Sequence, residues 1–108
     1  MGNNTVHFLK MTGTVPPGKR KEFEQTVKFV SNHLSFDCLQ FSLSADIFTT
    51  DLYHFYSLWP SRESLGNFYR SQEFKLLDGA YKTLGTLESN IAGELVEIKP
   101  FKIIDMSI

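Results

Sequence analysis

Cys38 is the chain's single cysteine. That excludes an intrachain disulfide and any cysteine-based metal cluster. With no base near it in sequence, the thiol reads as a small apolar side chain rather than a nucleophile. A surplus of one charge sign is also missing: the net charge is −1. A nucleic acid or an anionic membrane surface would need a basic stripe, so neither is an expected partner. The short run Lys19-Arg20-Lys21 is followed by Glu22 and Glu24 and reads as a solvated helix start. No apolar run approaches the ~20 residues of a membrane span. The first ten residues show no charged segment leading into an apolar core, so the cytoplasm is the expected location. His7, His33 and His54 show no metal-ligand or triad spacing. Metal catalysis and hydrolysis are therefore disfavoured, and neither a metal nor a cofactor is expected.

What the chain has is rings: ten phenylalanines, four tyrosines and one tryptophan in 108 residues. That length suits one domain, expected over 1–108 with a core at about 5–98 and an extension at 99–108. Roughly 65% of the unfolded surface is buried at this size, a modest core. So many rings point to an aromatic-lined pocket, a buried interface, or both.

In chain order, Thr5–Val15 is β-forming and apolar on both parities, with Val6 and Phe8 on one and Leu9 and Met11 on the other. Pro16-Pro17-Gly18 opens a helix over Lys19–Leu34. Its stripe is Phe23, Val27, Val30 and Leu34, at i, i+4, i+7 and i+11. His33 falls at its C-terminal end, a surface position suited to a cation. Phe36–Phe48 reads as a second strand, with Leu39, Phe41, Leu43 and Ala45 alternating. Thr49-Thr50-Asp51 is a polar hairpin connection, where Asp46 and Asp51 suit turn chemistry.

The stretch from Asp51 to Leu65 organises the rest. Leu52–Trp59 is a strand with Tyr53, Phe55, Ser57 and Trp59 on one face and Leu52, His54, Tyr56 and Leu58 on the other. Pro60 ends it. Ser61 caps a short helix to about Arg70, with Leu65, Phe68 and Tyr69 inward. Ser71 caps a second helix bearing Phe74, Leu77, Tyr81 and Leu84, with Gly85 as its stop. Ile91–Ile98 reads as the last strand, broken by Pro100. The apolar tail Phe101–Ile108 is expected to pack as an extra edge strand, on this or another subunit.

The order β-α-β-β-α-α-β predicts an α+β, ferredoxin-like split βαβ fold with helices on one face of an antiparallel sheet. Strands apolar on both parities need cover on the second face as well. A second copy, making a two-fold homodimer through the sheet face, is the simplest cover.

Pro17-Gly18-Lys19, the strand ending in Trp59, Ser61-Arg62-Glu63-Ser64-Leu65 and Ser71-x-x-Phe74 resemble the antibiotic biosynthesis monooxygenase domain over roughly residues 5–98. That family comprises dimeric α+β barrels and includes quinol monooxygenases. The resemblance implies a cofactor-independent monooxygenase acting with O₂ on a small aromatic or quinol-like substrate in a pocket between sheet and helices. It implies catalytic roles for Trp59, Tyr69 and His54, and a substrate-binding wall from Tyr53, Phe55, Ser57, Phe68, Phe23 and Val27. The chain departs from the family pattern at several places. Ser57 stands where many members carry Glu, Phe68 where many carry His, and Phe55 where antibiotic-pathway members place Asn. Ser35-Phe36-Asp37-Cys38 keeps only the Cys of a Glu-Pro-Gly-Cys motif. Haem binding, which in relatives uses Asn, Trp and His together, matches here only at Trp59. The readings left open are an oxygenase, a non-oxidative isomerase on the same fold, and a non-catalytic dimeric module that holds a small hydrophobic or aromatic molecule or serves a structural role.

Overall fold

Strand β1, His7–Thr14, buries Leu9 and Met11 on one face. The structure, a computed structural model, describes residues 5–35 and 37–96. A 3-10 turn at Pro17–Lys19 leads into helix α1, Arg20–Asn32. The turn uses proline where no N–H is required. The predicted stripe holds: Phe23, Val27 and Val30 are buried, and Leu34 packs against the core from beyond the helix end. The helix stops two residues short of Leu34. His33 closes it, its backbone N–H donating to Val30 O at 3.0 Å and its ring Nδ1 lying 2.8 Å from Phe29 O.

Strand β2 runs over Gln40–Ala45, shorter than the expected Phe36–Phe48. Asp46 ends it by accepting the backbone N–H groups of Phe48 and Thr49 at 2.9 and 2.6 Å, which turns the chain away from the sheet. Asp51 sits at φ 66°, a left-handed position that Asp tolerates better than most residues. Its carbonyl accepts from Val15 N, and its carboxylate meets Arg20 at 3.1 Å. Strand β3, Leu52–Trp59, has the expected bounds.

Helix α2, Arg62–Tyr69, is capped by Ser61 Oγ, which accepts from Ser64 N at 3.0 Å. Helix α3, Gln72–Leu84, is capped by Ser71 Oγ, which accepts from Phe74 N at 3.1 Å. Strand β4 is Thr86–Glu94, not Ile91–Ile98. It starts directly after Gly85, where a Cβ would overlap the Thr14 carbonyl. The glycine therefore serves close backbone approach and is extended rather than left-handed. Thr86–Asn90 escaped the apolar pattern because β4 is an edge strand with mostly exposed side chains. Residues 97–98, and the tail expected to form an extra strand at 99–108, lie outside the described residues.

Among the described residues, four strands form one antiparallel sheet in the order β2-β3-β1-β4. All three helices pack on one face. This is the ferredoxin-like α+β fold that the element order predicts. On the covered face Leu9, Met11, Tyr53, Phe55 and Trp59 meet Phe23, Leu65, Phe74, Leu77 and Tyr81. Each fully buried ring contributes roughly 1.5–3 kcal/mol relative to exposure. Phe23 contacts the Tyr81 and Tyr53 rings at centroid distances of 4.8 and 5.1 Å. The fully buried Tyr81 hydroxyl donates to Tyr53 O at 3.2 Å, and burial pushes its pKa up.

Register places Phe8 opposite Leu58, Lys10 opposite Tyr56 and Thr12 opposite His54 on the other, open face. Phe8 and Tyr56 stack there at 6.0 Å, and Ile91 from β4 joins them opposite Lys10. The parity read from β3 is therefore correct: Tyr53, Phe55, Ser57 and Trp59 face the helices, and Leu52, His54, Tyr56 and Leu58 do not.

Candidate active site

Three chain turns converge beside Trp59, the last residue of β3. They are the loop after α1, carrying Ser35 and Asp37, and the capped starts of α2 and α3. Together they enclose a cavity of about 110 Å³. Its floor is aromatic. Trp59 and Phe68 stack at a centroid distance of 4.9 Å and an interplanar angle of 24°, with 1% and 5% of their surfaces exposed. Phe74 meets Phe68 edge-on at 5.7 Å. Leu34 closes one side.

The rim is polar. Ser64 Oγ donates to Asp37 Oδ2 at 2.5 Å, and Ser35 Oγ donates to Asp37 Oδ1. These two hydroxyl donors, Ser35 first, hold the Asp37 carboxyl below its ordinary value, so it is ionised at neutral pH. Ser61 Oγ donates to Ser64 Oγ at 3.2 Å, which extends the chain of hydroxyls to the α2 cap. Asn67, Ser71 and Glu73 complete the rim.

The tryptophan's own polar atom does not face the cavity's chemistry. Trp59 Nε1–H donates to Ser57 Oγ at 2.9 Å, and both side chains are buried. Trp59 therefore offers a ligand its ring and no hydrogen bond.

The residues singled out in sequence are divided by the structure. Trp59 and Phe68 line the cavity. Val27 and Tyr53 line a separate open groove of about 410 Å³ between α1 and β2, with Phe41, Leu43, Glu24 and Lys28. Tyr53 Oη donates to Glu24 Oε2 at 2.5 Å in that groove, and desolvation first, then Glu24, pushes its pKa up to about 12. Phe23, Phe55 and Ser57 are fully buried and line neither. Tyr69 points outward at 46% exposure, its hydroxyl accepting from Asn90 Nδ2 at 3.3 Å. His54 is on the open sheet face, where its Nε2 meets Asp46 Oδ1 at 2.9 Å and its Nδ1 lies 3.4 Å from Thr12 Oγ1. The structure thus does not bring Trp59, Tyr69 and His54 together.

The polar rim residues Ser35, Asp37, Ser64, Asn67, Ser71 and Glu73 are not among the site residues that the sequence singles out. In the sequence Ser64 stands out only within the Ser61–Leu65 run that resembles the family, and Glu73 only as an acidic residue in the first turn after the Ser71 cap; a cap signal does not say what lies beyond the helix end. Asp37 was masked by the expectation of a strand beginning at Phe36. Among the described residues, no three His, Cys, Asp or Glu side chains converge as metal ligands would. No described helix is long and apolar enough to cross a membrane.

The family model of antibiotic biosynthesis monooxygenases matches residues 8–77. The chain belongs to this family. The match spans β1 through the middle of α3 and so includes every described wall of the cavity. Solved structures agree in fold. One from Caulobacter crescentus, provisionally described as an antibiotic biosynthesis monooxygenase, has 18% identity over 89% of this chain and 92% of its own, with a TM-score of 0.73. One from Nitrosomonas europaea, described in the same provisional way, has 8% identity over 94% and 99%, also at 0.73. A conserved Bacteroides thetaiotaomicron protein of unknown function, provisionally described as an oxidoreductase, has 15% identity over 86% and 100%, again at 0.73. At these identities the likeness is one of fold. No curated protein matches the chain.

Proposed function

We propose that this family member is a cofactor-independent monooxygenase of a small, electron-rich phenol or quinol, working at the Trp59–Phe68 cavity. The observation that carries the proposal is the pairing of that stacked aromatic floor with a hydroxyl-bonded carboxylate, Asp37, on the rim. The cavity is smaller than the about 150 Å³ that encloses a benzene molecule. A single ring therefore enters edge-first and keeps its polar end at the mouth, against Ser64 and Asp37.

The chemistry asks little of the protein beyond placement. A phenol whose hydroxyl proton is drawn toward the rim becomes electron-rich enough to react with O₂ at the ring carbon opposite the hydroxyl. One oxygen atom stays as the new quinone carbonyl, and the other leaves as water with the two hydrogens lost from the ring carbon and the hydroxyl. The Asp37 carboxylate, placed on the rim by Ser35 and Ser64, accepts a hydrogen bond from that hydroxyl and polarises it. The aromatic floor excludes water and orients the ring. Of the two positions where the resemblance leads one to look for polar groups, Phe55 contributes packing only, and Phe68 offers the cavity a ring but no polar atom.

The active unit is proposed to be a homodimer. The open sheet face carries Phe8, Tyr56, Leu58 and Ile91, and a second copy of the same face would cover them.

An oxygen electrode with a panel of phenols and hydroquinones tests the proposal. Uptake above the protein-free rate is expected, reduced about 10²-fold in Asp37→Asn. A second reading, a binding module without turnover, is favoured by one observation: the Trp59 N–H is already engaged by Ser57, leaving no donor on the cavity floor. Ligand binding with no uptake across the panel would select it.

A further inference from the structure

Resting on that reading of the cavity, we propose that its substrate is neutral or cationic, with an amine-bearing phenol as the preferred class, and that carboxylated aromatics are excluded. Two carboxylates line the cavity, Asp37 and Glu73, and among the described residues no Lys, Arg or His lines it. Asp37 accepts from the hydroxyls of Ser35 and Ser64. One cation touches the rim from outside: Arg70 Nη2 donates to Asn67 Oδ1 at 3.0 Å, and it does not line the cavity.

The helix starts at this rim oppose the carboxylates only in part. Each helix N-terminus is worth about half a positive charge, and the first turns are already capped by Ser61 and Ser71. Two formal negative charges against two half charges leave the mouth negative. Beneath it, the Trp59 and Phe68 rings line the cavity and add no positive charge. Charge, ring wall and rim hydroxyls agree on one ligand type: an aromatic ring edge-first against the apolar wall, hydrogen-bonding groups at the serines, and a positive substituent near Asp37 or Glu73.

The same charge bears on the reaction. A phenol beside two carboxylates resists ionisation, because the phenolate is a like charge. A cationic group on the same molecule offsets that repulsion. The amine therefore serves binding and phenol activation together.

The test compares one ring, unsubstituted opposite its hydroxyl, carrying three charges: meta-tyramine, m-cresol and meta-hydroxyphenylacetate. Trp59 is the only tryptophan, so its indole signals, the ring C–H resonances together with the N–H, report cavity occupancy in isotope-edited NMR spectra. Meta-tyramine is expected to bind roughly tenfold or more tighter than meta-hydroxyphenylacetate at low salt, with m-cresol between them. Added salt should narrow the spread. Glu73→Gln and Asp37→Asn should each reduce the preference several-fold, with the dispersion of the same spectra showing that the fold is kept. Equal binding of the three, or tighter binding of the anion, would overturn the charge assignment while leaving the cavity a small-aromatic site. No response of the indole signal to any of them would overturn the small-aromatic reading of the cavity and this inference with it.

Discussion

The indole N–H of Trp59 donates to Ser57 Oγ at 2.9 Å, two residues apart on the same face of β3 and both out of solvent. Alternation along the strand puts the two side chains side by side. It also explains how a serine is accommodated at a fully buried position of an otherwise apolar strand face: it satisfies the one polar atom of the largest ring in the core. Ser57→Ala removes that acceptor and leaves a buried donor unpaired. A loss of about 1–3 kcal/mol is expected by urea unfolding. A change within measurement error would show that the indole N–H finds another partner.

Two glycines of α3 and its exit should respond in opposite directions. Gly79 has open space around its missing Cβ, so Gly79→Ala should gain about 1 kcal/mol from helix propensity. Gly85→Ala would drive a Cβ into the backbone of Thr14, which cannot rotate away as a side chain could. A loss at the upper end of about 1–3 kcal/mol is expected. Thermal melts of the two variants beside the parent check both signs.

Asp46 gives the fold an acid-sensitive contact. Its hydrogen bond with His54, then those from Thr49 and Phe48 N–H, lower its pKa to about 2. A carboxyl lowered on folding adds stability above its ordinary range near pH 4 and loses it as pH falls toward 2. Unfolding measured between pH 5 and pH 2 should therefore show a decline that is shallower in Asp46→Asn. An identical slope in the two proteins would remove Asp46 from the acid response.

Much of this architecture was legible beforehand because periodicity reports burial. The α1 stripe of Phe23, Val27 and Val30 and the two faces of β3 follow directly from apolar spacing. The start of β4 at Thr86 was not legible, because an edge strand needs no apolar alternation. The cavity was only half legible. Trp59 and Phe68 announce themselves as rings, whereas Asp37, Ser64 and Glu73 meet only when three separate turns are folded together. Tyr69 shows the converse limit. Its place at the end of a short helix looked inward by spacing, yet the last turn of α2 carries it outward to Asn90.

The open sheet face makes the proposed dimer testable without any ligand. Sedimentation at micromolar concentration should give a dimer. Tyr56→Lys, which places a charge beside Phe8 and Lys10 on that face, should give a monomer with unchanged circular dichroism. A monomeric parent protein would contradict the proposal.

The most direct test of the central claim uses isotopically labelled O₂ and the purified, metal-free and flavin-free protein. A phenol that is unsubstituted opposite its hydroxyl and responds at the Trp59 signal is supplied, and the product is read by mass spectrometry. The account predicts a quinone carrying one labelled oxygen, formed at a rate that falls strongly in Asp37→Asn and in Phe68→Leu. A product without label, or no product from a phenol that demonstrably occupies the cavity, would contradict it.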